Sequence, residues 1–372
     1  MKNTNTKDRA KSVGNAKASE SNSTEMNNWR EIIKRFPEAN FLQSPEYGRM
    51  NELLGDKVIV AGLGDKKANI PHDTKDEETD LQRKSGNSGR ALMIVRDAKR
   101  GRYLEIPCGP LIDWEDTEMR TEMMRKIREV ARAEKCVFVR IRPQLPATEK
   151  NLQILADLGL RKAPMHLAAE HTVIIDLAPT EAELLANMRR QTRYEVRRAG
   201  KLGITVSRND SEDIFKEFHK VQTETAKRQG FIPPSLEVLL AERKAFFGNI
   251  WIYTAKTTEG EPVAYGLIIK NGREGDYYEA ASTDLNRKLP GAYALLWQVM
   301  RDLKKDGVER FNLWGIAPKN QPKHRYAGVT TFKTGFGGET IEYVAAHDLV
   351  ISKIGYLKNL IVETIRKKRR HL

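Results

Sequence analysis

The pattern of apolar and polar positions predicts one arrangement of strands and helices that occurs twice along the chain. Short alternating or continuous apolar runs predict strands, and apolar residues spaced three and four apart predict helices. In the first half these patterns predict helices over 29–36, 117–134 and 148–158, and strands over 58–63, 91–98, 102–113 and 136–143. Ser44 and Pro45 suit the N-cap and the first position of a further helix.

The second half of the chain follows the same order. We predict strands over 171–177, 204–207, 249–257, 262–270, 276–281 and 308–314, and helices over 180–203, 211–229, 235–247 and 290–305. Each half therefore has a helical entry, three antiparallel strands, a helix and a strand. A strand over 340–345 and an amphipathic helix over 352–370 close the chain. The prediction is an α/β (α+β) fold with mixed, mostly antiparallel sheets flanked by helices.

Two segments lack the apolar residues that folding requires. Residues 1–26 are rich in Lys, Asn, Ser and Thr, and they are predicted to form a disordered tail. Residues 64–90 separate the first two strands and are equally polar. A loop of this length inside a domain is either functional or disordered, and we favour a disordered hairpin insertion.

Composition fits a cytoplasmic protein of two domains. The chain has 372 residues, with 40% hydrophobic and 31% charged residues, and this length suffices for two cores. Its apolar runs fall short of the ~18 residues that a membrane span requires, and the N-terminus lacks the apolar centre of a secretory signal. Cys108 and Cys136 lie in apolar runs outside any CxxC motif, which predicts buried free thiols and a reducing compartment.

The net charge of +14 favours an anionic partner. Nucleic acid, an anionic lipid surface and a phosphorylated small molecule all fit. A generally basic proteome or a solvated basic tail would also explain it, so charge alone leaves these alternatives open.

Several catalytic motifs are missing from the sequence. There is no GxxxxGK[ST] phosphate loop, no HExxH or Cys/His cluster with metal spacing, and no GxSxG elbow. We therefore expect no metal site and no cofactor. An enzyme with this sequence would act by positioning and electrostatics rather than through a covalent nucleophile.

The helix predicted over 180–203 carries a stripe of positive charge. Like charges at helical spacing repel each other, and a polyanion would relieve that repulsion. Tyr194 could stack on an unpaired base. The alternative is a solvated basic face that Glu195 partly neutralises. The cations that share this face are Arg190, Arg193, Arg197 and Lys201.

Two glycine-containing loops are further candidates. The segment from Asn286 to Tyr293 stands before a predicted helix, where backbone N–H groups bind anions. Its Lys288-x-x-Gly291 resembles the pyrophosphate loop of acyl-CoA N-acyltransferases, although plain helix capping explains it equally well. In the second loop, Phe332-Lys-Thr-Gly-Phe-Gly-Gly338, Lys333 is a candidate fixed cation for a developing oxyanion, and a structural role is the alternative.

Five segments together resemble the FemABX family of aminoacyltransferases. They are Gln43-Ser44, Ile106-Pro-Cys-Gly-Pro-Leu-Ile-Asp113, the basic 189–201 segment, Phe311-Asn-Leu-Trp-Gly-Ile-Ala-Pro318 and Phe332-Lys-Thr-Gly-Phe-Gly-Gly-Glu339. Members are cytoplasmic bacterial enzymes that move an amino acid from aminoacyl-tRNA to the stem peptide of a peptidoglycan precursor. The resemblance implies two GNAT-like acyltransferase domains, 27–170 with 340–372 and 171–339.

The resemblance also assigns roles to individual residues. Lys333, preceded by Phe332, matches the lysine that stabilises the tetrahedral intermediate. Tyr277 or Tyr278 lies where the family binds its acceptor. The family's acceptor-binding cation would fall near Asn51, where this chain has Arg49 as the adjacent cation. The residues implied to bind tRNA are Arg189, Arg190, Arg193, Arg197 and Lys201.

The acceptor and the closing helix leave alternatives open. The acceptor is either lipid-linked or linked to UDP. The apolar side of the helix over 352–370 could pack on the first domain, which we prefer, or lie on an anionic membrane with the basic residues 366–370. An acyl-CoA-dependent N-acyltransferase and a non-catalytic RNA-binding relative are the other candidate functions.

Overall fold

The computed structural model describes residues 29–63, 88–98, 101–319, 321 and 326–370, with side chains as far as 367. The tail predicted over 1–26 and nearly all of the insertion predicted over 64–90 lie outside the described residues.

The described strands form two sheets. One sheet has the order β1-β2-β3-β4-β13-β5, and the other has the order β12-β6-β11-β10-β9-β8-β7. In chain order the strands are β1 Lys57–Leu63, β2 Gly89–Ala98, β3 Gly101–Pro107, β4 Phe138–Arg142, β5 Arg161–Lys162, β6 His171–Asp176, β7 Thr205–Asn209, β8 Ile250–Lys256, β9 Pro262–Asn271, β10 Glu274–Ser282, β11 Arg310–Asn312, β12 Glu339–Glu342 and β13 His347–Val350.

Helices cover both sheets, which confirms the predicted α/β fold class. Two short 3₁₀ turns, Phe41–Gln43 and Asp284–Arg287, supplement the α-helices. In chain order these are α1 over 29–35, α2 Pro45–Leu53, α3 Thr117–Ala133, α4 Glu149–Asp157, α5 Glu181–Asn187, α6 Arg190–Lys201, α7 Glu212–Gln229, α8 Leu236–Ala245, α9 Gly291–Lys305, α10 Ala327–Thr334 and α11 Lys353–Arg370.

The repeated pattern of the sequence reappears in the topology. In the first sheet, β1, β2 and β3 are antiparallel neighbours, and β3 then pairs in parallel with β4 after the α3 crossover. In the second sheet, β8, β9 and β10 are antiparallel, and β10 pairs in parallel with β11 after α9. Both halves thus place one parallel pair beside an antiparallel meander.

Each sheet buries a core against its helices. Met93, Leu104 and Ile141 from the first sheet pack with Met123 and Ile127 of α3. Alternate strand residues face α3, as expected for a sheet with one face against a helix. Burying such a side chain contributes roughly 1.5–3 kcal/mol. At α2 the predicted cap is present, because the Ser44 hydroxyl accepts from the Tyr47 N–H at 3.1 Å.

The prediction of a single helix over 180–203 is wrong, because the structure has two helices there, α5 and α6. Met188 and Arg189 have ψ values of 150° and 144°, which break the helix. The Arg189 N–H donates to the Gly335 carbonyl at 2.8 Å, outside the helix. The Arg193 guanidinium donates to the carbonyls of Ala186 and Met188 at 2.6 and 2.7 Å, and so satisfies the end of α5.

Two predicted strands are shorter than expected. The strand over 102–113 ends at Pro107, since Cys108 adopts a left-handed φ of 54°. The strand over 308–314 is reduced to β11, because Trp314 has a φ of 60° and turns the chain away. Left-handed backbone is incompatible with a continuing strand.

The C-terminal region also differs from the prediction. The glycine-rich return contains α10, and the strand predicted over 340–345 is β12, which pairs with β6 of the second sheet. The chain reaches the first sheet only at β13, which pairs with β4 and β5. The first sheet thus draws on 57–162 and 347–350, and the second on 171–342. The exact domain limits stay a prediction.

The prediction that the closing helix packs its apolar side on the first domain is wrong. The apolar side chains of α11 that were expected to pack on the first domain are exposed, and the helix docks through other residues. Amphipathic spacing identifies an apolar side but does not say which side faces the body of the protein. In the part of the chain that the structure describes, no helix combines the length and the apolar character needed to cross a bilayer.

Candidate active site

The candidate site lies where the parallel strands β10 and β11 diverge. They pair only from Glu274 to Asp276, opposite Arg310 to Asn312. Beyond this point β10 continues with a bulge at Tyr278, while the segment that follows β11 turns away at Trp314. Bulges of this kind re-aim side chains beside functional sites. The divergence opens a space between β10 and the segment that follows β11.

The turn after β11 is held by hydrogen bonds from several elements. The Trp314 N–H donates to Asn312 Oδ1 at 2.9 Å, and the Ile316 N–H donates to the His171 carbonyl at 3.0 Å. A bulky residue with positive φ is uncommon and persists only where its surroundings impose it. This turn fixes the position of the Gly315 carbonyl.

Lys333 enters this space from α10. Its Nζ donates to the Gly315 carbonyl at 2.9 Å and lies 5.7 Å from the centroid of the Tyr277 ring. The side chain is buried, and this burial lowers the pKa of Lys333 to about 7, although the carboxylate of Glu279 acts in the opposite direction. The lysine is therefore a desolvated cation held by one carbonyl and one aromatic face.

Phe332 fixes the helix that carries this lysine. Its ring packs edge-on against Tyr293 of α9 and against Phe336, with ring centroids 5.0 and 5.3 Å apart. Aromatic pairs in this geometry stabilise by about 0.5–1.5 kcal/mol beyond their buried area. Phe332 therefore anchors α10 to α9 and so positions Lys333.

Glu279 is a site residue that the sequence did not reveal. It follows the bulge in β10, is half-buried, and accepts from Gln222 Nε2 at 2.7 Å. Burial raises the pKa of Glu279 to about 7, and Lys333 acts against that rise. Behind it, burial and the nearby Glu279 raise the pKa of Glu242 to about 8. These groups come from β10, α7 and α8, so no local motif could have identified them.

A cleft of about 340 Å³ is lined by Tyr278 and Trp314, the chain neighbours of the two residues that hold Lys333. Arg96 of β2 donates to Glu105 Oε2 at 2.8 Å and to Asn51 Oδ1 at 3.1 Å, and also pairs with Asp56. The cleft thus joins the first sheet to β10 and the turn after β11. Its lining residues include Tyr47, Arg96, Glu105, His166, Tyr278 and Trp314.

The structure places the four predicted acceptor residues in different surroundings. Tyr278 lines the cleft, whereas Tyr277 lies buried beneath Lys333. Asn51 is buried and contacts the cleft through Arg96. Arg49 is exposed on α2, pairs with Glu52 at 3.4 Å and is absent from the cleft lining. The cation that contacts Asn51 is therefore Arg96, which lies far away in sequence.

The predicted tRNA-binding residues divide into two groups. Arg193 is bonded to the end of α5, and the Arg189 guanidinium donates to the Thr331 carbonyl of α10 at 3.0 Å. Within the described residues, Arg190, Arg197 and Lys201 are exposed and form no ion pair. A shallow depression of about 500 Å³ is lined by Arg190, Arg193, Tyr194, Arg197, Arg198 and Lys201.

The loop before α9 is occupied by its own contacts. Asn286 Oδ1 accepts from the Ala292 N–H at 3.0 Å, and the Lys288 carbonyl accepts from Arg198 at 3.1 Å. A Cβ on Gly291 would lie 2.4 Å from Val263, so this glycine allows close packing. These contacts favour helix capping over a pyrophosphate site. Among the residues described, no cluster of His, Cys, Asp and Glu could hold a metal ion.

Comparison with known proteins identifies the fold first. The solved structure of FemX superposes with a TM-score of 0.76 at 16% identity, covering 91% of this chain and 98% of the other. A domain named for lysylphosphatidylglycerol synthetase, from Agrobacterium fabrum, gives a TM-score of 0.55 at 14% identity, covering 93% and 97%. At these identities the likeness establishes a shared fold.

The sequence then identifies the family. The model of the FemAB family matches residues 22–156, 159–237 and 246–363, and the chain belongs to this family. Aminoacyltransferase FemA of Staphylococcus aureus is 28% identical over 107 residues, which is 29% of this chain. The match spans 26% of the length of that curated relative. The predicted resemblance to FemABX proteins is confirmed.

Proposed function

We propose that the protein is an aminoacyltransferase that moves an amino acid from aminoacyl-tRNA to a stem-peptide amine of a peptidoglycan precursor. The observation that carries this proposal is the buried Lys333 ammonium where β10 and β11 diverge, beside a polar cleft. Membership of the FemAB family supports the reaction class.

The proposed reaction needs no covalent enzyme intermediate. The acceptor amine attacks the ester carbonyl of aminoacyl-tRNA, the C–N bond forms, and the C–O bond to the ribose breaks. Lys333 stabilises the oxyanion of the tetrahedral intermediate. A preorganised charge in a desolvated site acts more strongly than the same charge in water. The leaving ribose oxygen takes the proton that the attacking nitrogen loses.

The donor approaches over α6 in this proposal. Arg190, Arg197 and Lys201 have no ion-pair partner within the described chain and are free to meet tRNA phosphates, while exposed Tyr194 offers a stacking surface. Arg189 links α6 directly to the helix of Lys333. Donor contact on α6 would therefore bring the ester end toward the lysine.

The acceptor occupies the cleft between Arg96 and Tyr278. The guanidinium, tyrosine and carboxylate groups that line this cleft suit a peptide with amide and carboxylate groups. The stem peptide is either lipid-linked or UDP-linked, and we favour the lipid-linked form. The enzyme then works in the cytoplasm, in peripheral contact with the inner face of the membrane through its C-terminal helix.

Replacing Lys333 with Met tests this function. The expected result is a fall in single-turnover transfer of about 10²–10³-fold, typical for loss of an oxyanion stabiliser. Lys305→Met, an exposed lysine on α9, is the matched control and keeps full activity. Thermal unfolding checks that both variants fold. Near-normal transfer by Lys333→Met would contradict the role, and a thermal shift with CoA would favour an acyl-CoA-dependent enzyme instead.

A further inference from the structure

The closing helix α11 presents an apolar surface to solvent. The exposed fractions of its side chains are 88% for Ile354, 57% for Leu357, 52% for Ile361 and 47% for Ile365. Their spacing of three, four and four places all four on one side of the helix. We call these four residues the apolar strip. No contact within the described chain covers it.

The opposite side of α11 docks on the first sheet through polar groups. Glu363 pairs with Arg140 at 2.7 Å, and Arg140 also pairs with Asp348 at 2.8 Å. The Tyr356 hydroxyl donates to Asp348 Oδ2 at 3.0 Å, and Asn359 is buried beside it. These directional bonds fix the rotation of the helix about its axis. The apolar strip, about half a turn away, is thereby held outward.

Positive charge surrounds the apolar strip. Lys353, Lys358 and Arg366 are exposed on α11, and the chain continues with basic residues to 370. An exposed apolar side flanked by cations has the chemistry of a helix that lies in the interface of an anionic bilayer. A second copy of the chain fits less well, because a symmetric contact would bring the same cations together.

We propose that the apolar strip inserts into the headgroup region of an anionic phospholipid bilayer. The helix lies along the interface, with its apolar side chains among the lipids and its cations at the phosphates. The apolar strip and its neighbouring cations thus specify which side chains make the proposed membrane contact and which lipid charge they require.

The docked helix and the acceptor cleft stand on the same face of the first sheet. The Tyr356 ring packs edge-on against Phe138, with 5.5 Å between ring centroids, and Phe138 stacks on Tyr103 with 4.8 Å between centroids. The Tyr103 hydroxyl donates at 3.1 Å to Glu105, which lines the cleft. A lipid-linked acceptor could therefore enter the cleft while its anchor stays in the bilayer, a step that rests on the proposed function.

Vesicle flotation tests the surface with the full chain. The Ile354→Ser/Leu357→Ser/Ile361→Ser variant should bind anionic phosphatidylglycerol vesicles about tenfold or more weakly than the unaltered protein. The matched control is Ile232→Ser/Phe247→Ser, which removes exposed apolar residues elsewhere and should bind normally. Lys358→Glu/Arg366→Glu should lose the preference for anionic over neutral phosphatidylcholine vesicles. Circular dichroism confirms folding.

The outcomes separate this surface from the reaction. Undiminished flotation of the triple serine variant, or a wild type that never floats, would overturn the proposal. So would a wild-type dimer that the serine variant converts to a monomer, since a second copy would then cover the strip. Transfer to a soluble stem peptide should be unchanged in the triple variant. Vesicle binding without any transfer would leave the surface intact and refute the proposed function.

Discussion

At the scale of single residues, Lys333 and Glu279 form an interacting pair of titratable groups. Burial brings the pKa of each to about 7, from opposite directions. A lysine that must be protonated to hold an oxyanion loses this function when the pH rises above its pKa. The attacking amine, in contrast, becomes more reactive as the pH rises. The rate of transfer should therefore follow a bell-shaped pH profile.

Glu279→Gln tests the pair directly. The Glu279 carboxylate raises the pKa of Lys333, so its removal should lower that pKa and move the falling limb of the profile to lower pH. The measurement is the single-turnover rate as a function of pH. Glu224→Gln, an exposed carboxylate on α7, is the matched control and should leave the limb in place. A limb that stays or moves to higher pH in Glu279→Gln would rule out the coupling.

Stability gives an independent view of the same lysine. An unfolded lysine holds its proton up to its ordinary pKa of 10.5, whereas the buried Lys333 releases it near 7. Between these values the unfolded state binds more protons, so the Lys333 contribution to the free energy of unfolding rises with pH. Below pH 7 the buried charge carries its full desolvation cost.

At the scale of elements, the basic helix α6 combines structural and exposed cations. Arg193 is bonded to two carbonyls of the α5 end, whereas Arg190, Arg197 and Lys201 face solvent. The sequence correctly groups these residues on one side of a helix. It does not distinguish them, because the helix break at Met188 and the carbonyls it leaves unpaired are tertiary features.

Substitutions in α6 should separate these two roles. Arg190→Gln/Arg197→Gln/Lys201→Gln should keep the unfolding temperature and lower the slope of log tRNA affinity against log salt by about 2, or ~0.7 per lost phosphate contact. Arg193→Gln should instead reduce the free energy of unfolding by about 1–3 kcal/mol. Filter binding and thermal denaturation measure the two effects. An unchanged salt slope in the triple variant would remove α6 from the donor site.

The helix α10 shows why the local sequence was insufficient. Its residues Thr330 to Thr334 have modest helix propensity and precede several glycines, so a loop was predicted. Tertiary contacts decide otherwise, since Thr330 Oγ1 accepts from the Ala317 N–H at 2.7 Å and Lys333 bonds to Gly315. The residue types identified the lysine, and long-range bonds determined its backbone.

At the scale of the whole molecule, sequence periodicity predicted the duplicated topology but not the meeting of distant groups. Each half shows its strands and helices in order, because burial imposes periods of two and 3.6 residues. The cleft, however, joins Arg96 from the first half to Tyr278 from the second. Likewise, the docked side of α11 is set by Arg140 and Asp348, which no local pattern of the helix reveals.

We expect the protein to transfer an amino acid from tRNA to a peptide amine. The most direct measurement is a single-turnover reaction of the full chain with mixed aminoacyl-tRNAs and a stem-peptide acceptor, followed by mass spectrometry. We predict a stem peptide that is heavier by one amino-acid residue, formed as the tRNA is deacylated and abolished by Lys333→Met. Unmodified stem peptide with tRNA that remains charged, for soluble and lipid-linked acceptors alike, would contradict it.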